Sequence, residues 1–504
     1  MNASKWREIP AAAWGILLIF QISIAPAGPA GRDSLAGDSS TTAENASVAA
    51  RGETEDFSFS RADLLNSLSV EMRGDIRFSE DCRAIGAMAP GSYLQIEERR
   101  WLTARRLEVS AGAEGNPQYR FSMRSRSLPF DERAQAWLAR ILPEVIRETG
   151  INAKARVQEL LSRGGVAAVL REISRIDRNE TKRIYFSALV ESRNLTPEEA
   201  ARVIRQASRQ ITGSSALNRT LCEIAEKLPA DESLTVEPFR GAEKIPSSSQ
   251  KSAAIIFIAR RREIGAEAAI AMAQSIRSIP SGSEAARALE TLAEVCPADD
   301  AVVSAYLDAA GSISSSAQRA NALSAIIQAE GLSSQSWIEI ARSAAAIPSG
   351  SEQSRVLQEM ADRCPGDEAV MRAYLRSAAS IPSSHEKANA LVAALGKTNL
   401  SEPAFVNIAE TVSAIPSSAE QGRVLQAMAP LCPVSDAVVS AYLDAALGIT
   451  SSAEQEAALL ALLQREGISA EMLKNISRRA GSEISSRSAR QAVIDRAAER
   501  MKED

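Results

Sequence analysis

The residues that could carry chemistry are few and poorly placed to act together. The 504-residue chain has one histidine, His385, which removes multi-histidine metal sites and makes a histidine-based triad improbable. His385 lies in Ser-Ser-His-Glu-Lys on the first turn of a repeated helix, where other copies have Ser283, Ser351, Ala419 and Ala453, so it reads as a surface position. Five cysteines are too few for a disulfide scaffold. No GxSxG, phosphate-binding loop or dinucleotide fingerprint stands in a supporting context. The acidic pairs Asp299-Asp300 and Glu198-Glu199 open helices, where negative charge favours the macrodipole. One periodic set remains: Tyr306, Tyr374 and Tyr442, each 68 residues from the next. Such a row either lines a concave face and contacts a partner, or packs between helices. No catalytic, metal or cofactor-binding residue is assigned, so the chain reads as a non-enzyme with no cofactor.

The elements that position these residues are legible. Apolar residues make up 45% of the chain but aromatics only 4%, which excludes an all-β fold. An isoleucine followed by Pro or Ser and a small polar pair recurs at Ile176, Ile211, Ile245, Ile279, Ile313, Ile347, Ile381, Ile415, Ile449 and Ile484. The intervals are 35, then 34 seven times, then 35. A fixed period of this length marks a repeat array. Proline at 246, 280, 348, 382 and 416 ends the preceding helix. The next serine pairs with Glu or Gln three residues on (Ser247/Gln250, Ser281/Glu284, Ser349/Glu352, Ser383/Glu386, Ser417/Glu420, Ser451/Glu454), the spacing of a capping box. A helix carrying Leu289, Leu357 or Leu425 follows, then a second, alanine-rich helix. Neither can bury its apolar face alone, so the unit is an α-α hairpin in a solenoid covering 176–504.

Cys296, Cys364 and Cys432 also recur at 68 residues. Hairpins about 10 Å apart place them roughly 20 Å from one another, too far for a disulfide, so they read as small apolar residues at helix ends. Cys82 and Cys222 would pair only if the early segment folds onto the first repeats.

Ahead of the array the period changes to two. Ile76/Phe78, Leu94/Ile96, Leu107/Val109 and Tyr119/Phe121/Met123 alternate with polar residues, which predicts about four antiparallel strands in a small β-rich domain over 57–130. Pro90-Gly91 and Gly115-Asn116-Pro117 mark turns. The sheet has a charged, arginine-rich outer face and is expected to pack on the helices after it. Asp131 N-caps a helix to Glu148 that Gly150 stops, and a second helix runs from Ala153 to Ser162 before Gly164-Gly165; 131–175 reads as a helical cap or connection. At the start, Lys5 and Arg7 precede an apolar run, Ala11–Ile24, and Ala25-Pro26-Ala27 fits a signal-peptidase site. Residues 1–27 read as a signal peptide or an uncleaved membrane anchor, and 28–56 as a polar linker.

The stretch from about Asp75 to Arg209, with GDIRFSED, APGSYLQIEE, RRLEV, LPFDERAQAWLARILPEVIRETGINAKARVQELLSRGG and VLREISRI, resembles the extracytoplasmic region of bacterial antirepressor-type metallopeptidases of the β-lactam-sensor class and of related exported proteins. The later IPSSxEKxxxL units resemble the repeats that follow there, so the resemblance spans about 430 residues. The peptidases of that family carry a zinc-binding HExxH on a membrane helix; this chain has no such motif, and the peptidase activity does not carry over. Where the family repeat has Asp-Tyr after the serine, this chain has Ser-Ala, Gly-Ser or Ser-His. The 34-residue period is also similar to tetratricopeptide repeats, with Leu289, Tyr306 and Ala309 at suitable offsets, but only the hairpin geometry is implied.

Net charge is -5 overall, which makes no case for nucleic acid. Residues 57–210 carry 26 basic and 20 acidic side chains, whereas 245–504 carry 24 and 30. The expectation is a non-enzymatic α-solenoid scaffold, periplasmic or secreted, that binds a protein partner in the bacterial cell envelope and meets the membrane only through an uncleaved N-terminal segment. The alternative is a regulatory or sensor subunit working with a membrane peptidase or signalling protein.

Overall fold

The computed structural model describes residues 57–62, 66–79, 81–101, 103–228, 232–295, 297–397 and 400–503. The signal or anchor (1–27), the linker (28–56) and Cys296 lie outside them. The chain divides into two compact units, residues 1–156 and 157–504.

In the first unit, β1 (Phe57–Ala62), β2 (Asn66–Arg73), β5 (Tyr93–Arg100), β6 (Thr103–Ala111), β7 (Pro117–Met123) and β8 (Arg126–Leu128) form one antiparallel sheet in the order β1-β2-β5-β6-β7-β8. A separate hairpin pairs β3 (Ile76–Phe78) with β4 (Ile85–Met88). Four strands were expected and eight are described. Ile76/Phe78 belongs to the small hairpin and not to the main sheet, and β1 and β2 extend the sheet ahead of the residues with the clearest alternation.

One face of the sheet is apolar through Val70, Leu94, Ile96, Leu107 and Val109, all at most 1% exposed. The helix α1 (Glu132–Thr149) covers it with Trp137, Leu138, Ile141, Leu142 and Val145. Asp131 caps α1 by accepting from the amides of Arg133 and Ala134, and Gly150 ends it at φ 77°, as expected. The domain boundary drawn at 130 is corrected: α1 is part of the sheet's core, because a one-sided apolar sheet needs a cover and the next amphipathic helix supplies it. In the following helix, α2 (Ala153–Ile173), helical geometry breaks at Gly164 and at Gly165 (φ 61°, ψ −164°) before it resumes.

The second unit is the expected α-α hairpin solenoid. Helices alternate between two layers, each packing mainly on the helices two before and two after it. The ten marker isoleucines from Ile176 to Ile484 are all buried. Leu289, Leu357 and Leu425 are fully buried between successive first helices.

The 68-residue period has a packing cause. On the second helices, fully buried Tyr306, Tyr374 and Tyr442 alternate with Ile340 and Ile408 at the equivalent position. Three residues earlier, on the same helix face, Val303, Met371 and Val439 alternate with Trp337 and Phe405, all buried. A large side chain at one site accompanies a smaller one at the other, so the volume per layer is conserved at interior density.

Helix ends are satisfied by neighbours. The N-cap serines accept from the expected amides, as Ser383 Oγ does from Glu386 at 3.4 Å. The reciprocal half of the capping box is formed at Thr196/Glu199, whereas Glu284, Glu352 and Glu420 turn to Arg287, Arg355 and Arg423 three residues on. At the C-terminal ends, Lys251 Nζ donates to Ser278 O at 3.0 Å, Gln353 to Ser377 O at 2.9 Å, and Gln455 to Leu447 O at 2.8 Å. A second set reaches one repeat back: Arg262 to Leu228 O, Lys397 to Cys364 O and Arg465 to Cys432 O. These donors reach carbonyls at the C-terminal ends of helices, where the helix's own amides run out, and the cations also oppose the negative end of the macrodipole.

Tyr374→Phe removes a buried hydroxyl that donates to Ala390 O at 2.8 Å and should lower stability by about 1 kcal/mol. Tyr374→Ala also opens a cavity and should lower it by about 3–5 kcal/mol, read as the shift in urea midpoint at constant slope.

Candidate functional site

The row of tyrosines is interior. Tyr306, Tyr374 and Tyr442 are fully buried, and their hydroxyls donate to Ala322 O, Ala390 O and Ala458 O, equivalent carbonyls on the following first helices. Desolvation pushes the Tyr374 and Tyr442 hydroxyls well above their ordinary pKa. The partner-contact reading of these three residues is corrected: they pin successive hairpins together and present nothing to a ligand.

His385 is exposed on the helix Ser384–Leu395, with Nδ1 3.0 Å from Glu420 Oε1 one repeat on. Burial opposes ionisation of Glu420, but hydrogen bonds from His385 and Arg423 outweigh it and hold the carboxyl below its usual range. Asp299 N-caps its helix, and Asp300 accepts from Ser333 Oγ at 2.5 Å and Ser336 Oγ at 2.7 Å, so this acidic pair joins two repeats. None of the four described cysteines forms a disulfide. Burial raises the thiols of Cys364 and Cys432 and pushes that of Cys222 up to about 12. No cluster of three or more metal-ligating side chains occurs among the described residues. No described helix is long and apolar enough to cross a membrane.

Two sites were not anticipated. The first is a charge centre in the β unit. Glu98 is in phase with Leu94 and Ile96, so it points into the sheet's apolar face, and it is 3% exposed. Trp137 Nε1 donates to its Oε2 at 2.7 Å. Arg100, Arg140 and Arg105 approach to 2.6, 3.1 and 3.2 Å. Desolvation opposes the charge, yet the indole N–H and the guanidinium groups hold Glu98 below the ordinary carboxylate range. These side chains line an open groove of about 520 Å³ with Thr103 and Ala136. The predicted arginine-rich outer face is by contrast internally paired, Arg106 and Arg120 both turning to Glu108. A carboxylate in a buried strand register was the signal available in the sequence.

The second site is a groove of about 610 Å³ between the first helices Ser248–Arg261 and Gly282–Val295. Half-exposed Ile256 and Phe257 form part of its wall, Arg260 and Arg261 stand on one side, and Glu290 and Glu294 on the other. The Arg261 guanidinium lies over the Phe257 ring, 4.2 Å from its centre. Later repeats have Thr291, Ala325, Glu359, Ala393, Ala427 and Ala461 where Phe257 stands, so this aromatic departs from the array's own pattern. A partly exposed aromatic and aliphatic pair with a mixed-charge rim can engage a peptide or protein surface.

No family model matches the chain, and no curated protein matches it. Among solved structures it is similar to an engineered protein from a structural genomics consortium, at 18% identity over 74% of this chain and 96% of that one, with a TM-score of 0.29. It is also similar to a circular tandem repeat protein of novel repeat topology, at 16% identity over 74% of this chain and 80% of that one, with a TM-score of 0.17.

Glu98 stabilises the folded state while ionised, because its folded pKa lies below the unfolded one. That contribution is present above the ordinary carboxylate pKa of about 4.3 and lost as pH falls through the lowered value. Glu98→Gln should flatten the acid limb of the stability profile and cost about 1–3 kcal/mol at neutral pH, read from denaturant midpoints. For the thiols, the full chain carrying Cys296→Ser should react with an aromatic disulfide reagent at pH 8 only on unfolding, since the thiolate is the reactive form. Rapid labelling of the half-buried Cys222 in the native protein would contradict its raised thiol pKa.

Proposed function

We propose that the chain is a non-enzymatic, exported scaffold whose helical array binds a protein partner in the cell envelope. The observation that carries this reading is the groove at Ile256 and Phe257. The array repeats its interior faithfully and keeps its outer face polar or small at this position in the later repeats, yet here it exposes an aromatic and an aliphatic side chain between two arginines and two glutamates. A partly exposed aromatic side chain that departs from its repeat is of the kind that anchors a partner surface. The apolar N-terminal run, read as a signal peptide or anchor, and the resemblance to the extracytoplasmic region of sensor-class peptidases support an envelope location, and make a membrane sensor or peptidase one class of partner.

The test is retention of envelope proteins by the immobilised full chain at physiological salt. A protein retained by the wild type should be depleted about tenfold or more by Phe257→Ala and by Arg260→Glu, a loss on the scale of a single interface anchor. Arg260 is on the exposed rim, so Arg260→Glu leaves the unfolding midpoint unchanged and separates lost binding from lost folding. Retention of no specific protein, or equal retention by both variants, refutes the scaffold reading.

A further inference from the structure

The β5–β6 and β7–β8 turns lie at the same end of the six-stranded sheet, and the Arg124 amide donates to Ala104 O at 2.9 Å across them. Among the described residues four large apolar side chains are exposed, and three of them belong to this end: Trp101 (73%), Leu128 (38%) and Met123 (37%). The two turns are also basic. Residues 99–106 (RRWLTARR) hold four arginines and 123–128 (MRSRSL) two, with no carboxylate in either stretch; Arg100 and Arg105 are engaged by Glu98 and Arg106 by Glu108, so the charge presented at this end rests on Arg99 and Arg126. Arg99 and Arg126 are exposed and point at no acidic partner among the described residues.

The backbone adds an independent observation. Trp101, Arg124 and Ser125 hold positive φ values of 54°, 48° and 64°. Two-residue hairpin turns of this kind favour Asn-Gly, because side chains with a Cβ are strained there. Trp101 therefore occupies a backbone position that disfavours it and exposes its ring to water, so it contributes nothing to the fold that a glycine would not. Strain retained at a conspicuous side chain points to a role outside the fold.

We propose that this end of the sheet is a membrane-docking edge, which sets the Trp101 indole into the interfacial region of an anionic phospholipid surface while Arg99 and Arg126 meet the phosphates. Tryptophan prefers the headgroup level, where its ring is half desolvated and its N–H stays hydrogen-bonded, and arginines near such a surface are attracted by its negative potential. A nucleic-acid strand fits less well: single-stranded binding uses several aromatics along a groove, whereas here one indole stands at the apex of a turn. The proposal is independent of the partner groove in the array.

The test follows Trp101 itself in the full chain. Emission of the wild type minus that of Trp101→Phe isolates this indole from the other four tryptophans. With vesicles of brominated phosphatidylglycerol and phosphatidylcholine, this difference emission should shift to the blue and be quenched. Brominated phosphatidylcholine alone should leave it unchanged. Arg99→Glu/Arg126→Glu, or about 1 M salt, where screening extends only about 3 Å, should abolish the quenching. The apolar run at 11–24 is the same in every variant, so insertion of that segment cancels in the difference. The proposal is overturned if the Trp101 emission is unquenched by the anionic vesicles, if neutral vesicles quench it equally, or if soluble polyphosphate alone produces the blue shift.

Discussion

A pair of helices of about twelve residues cannot stay folded in water unless its apolar faces are covered on both sides, and the repeated features of the helical array follow from that constraint. Each hairpin supplies the cover for the next, which demands the same register at every step. The register is held by the marker isoleucines, by the buried leucines of the first helices, and by tyrosine hydroxyls that reach carbonyls of the following repeat. Stacking also brings helix ends close enough for a neighbour's Lys, Arg or Gln to reach their terminal carbonyls. The polar bonds are thus a consequence of the apolar stacking, and they make a shifted register costly, because a slip would leave buried carbonyls without donors.

The β unit solves a different problem. Its sheet has one apolar face and closes it with α1, but at the rim of that interface it places a carboxylate, Glu98, among three arginines and an indole. Such a centre is tolerable only because every partner is present and the arginines keep contact with water. It fixes how the β5–β6 hairpin meets α1, and so it holds the Trp101 turn beside a rigid support.

What the sequence shows and what it hides divide along the period of the chain. The hairpin, its length and its N-caps are all legible, because repetition multiplies a weak local signal at every copy. Strands β1 and β2 were harder to read, since one short edge pair offers a few alternating residues and no repetition. Glu98 and Phe257 are hidden for the opposite reason: each is a single exception to the pattern around it, and periodicity carries no information about exceptions. The tyrosines were the reverse case, regular enough to attract a functional reading that their packing does not support.

By itself, then, the sequence determined the architecture: a period of 34 with apolar faces on both helices admits stacking as the one way to remove those faces from water. Only the tertiary structure decided which side chains are interior and which are presented. Tyr374 and Phe257 are both aromatics on amphipathic helices, and no local rule separates them; the difference arises because the next hairpin lies over one and leaves the other half in solvent. The same holds for charge. Arg100 and Arg99 are adjacent in the chain, but the pleat of β5 turns one toward Glu98 and the other outward, so neighbouring residues of the same type take structural and presented roles according to the face on which they fall.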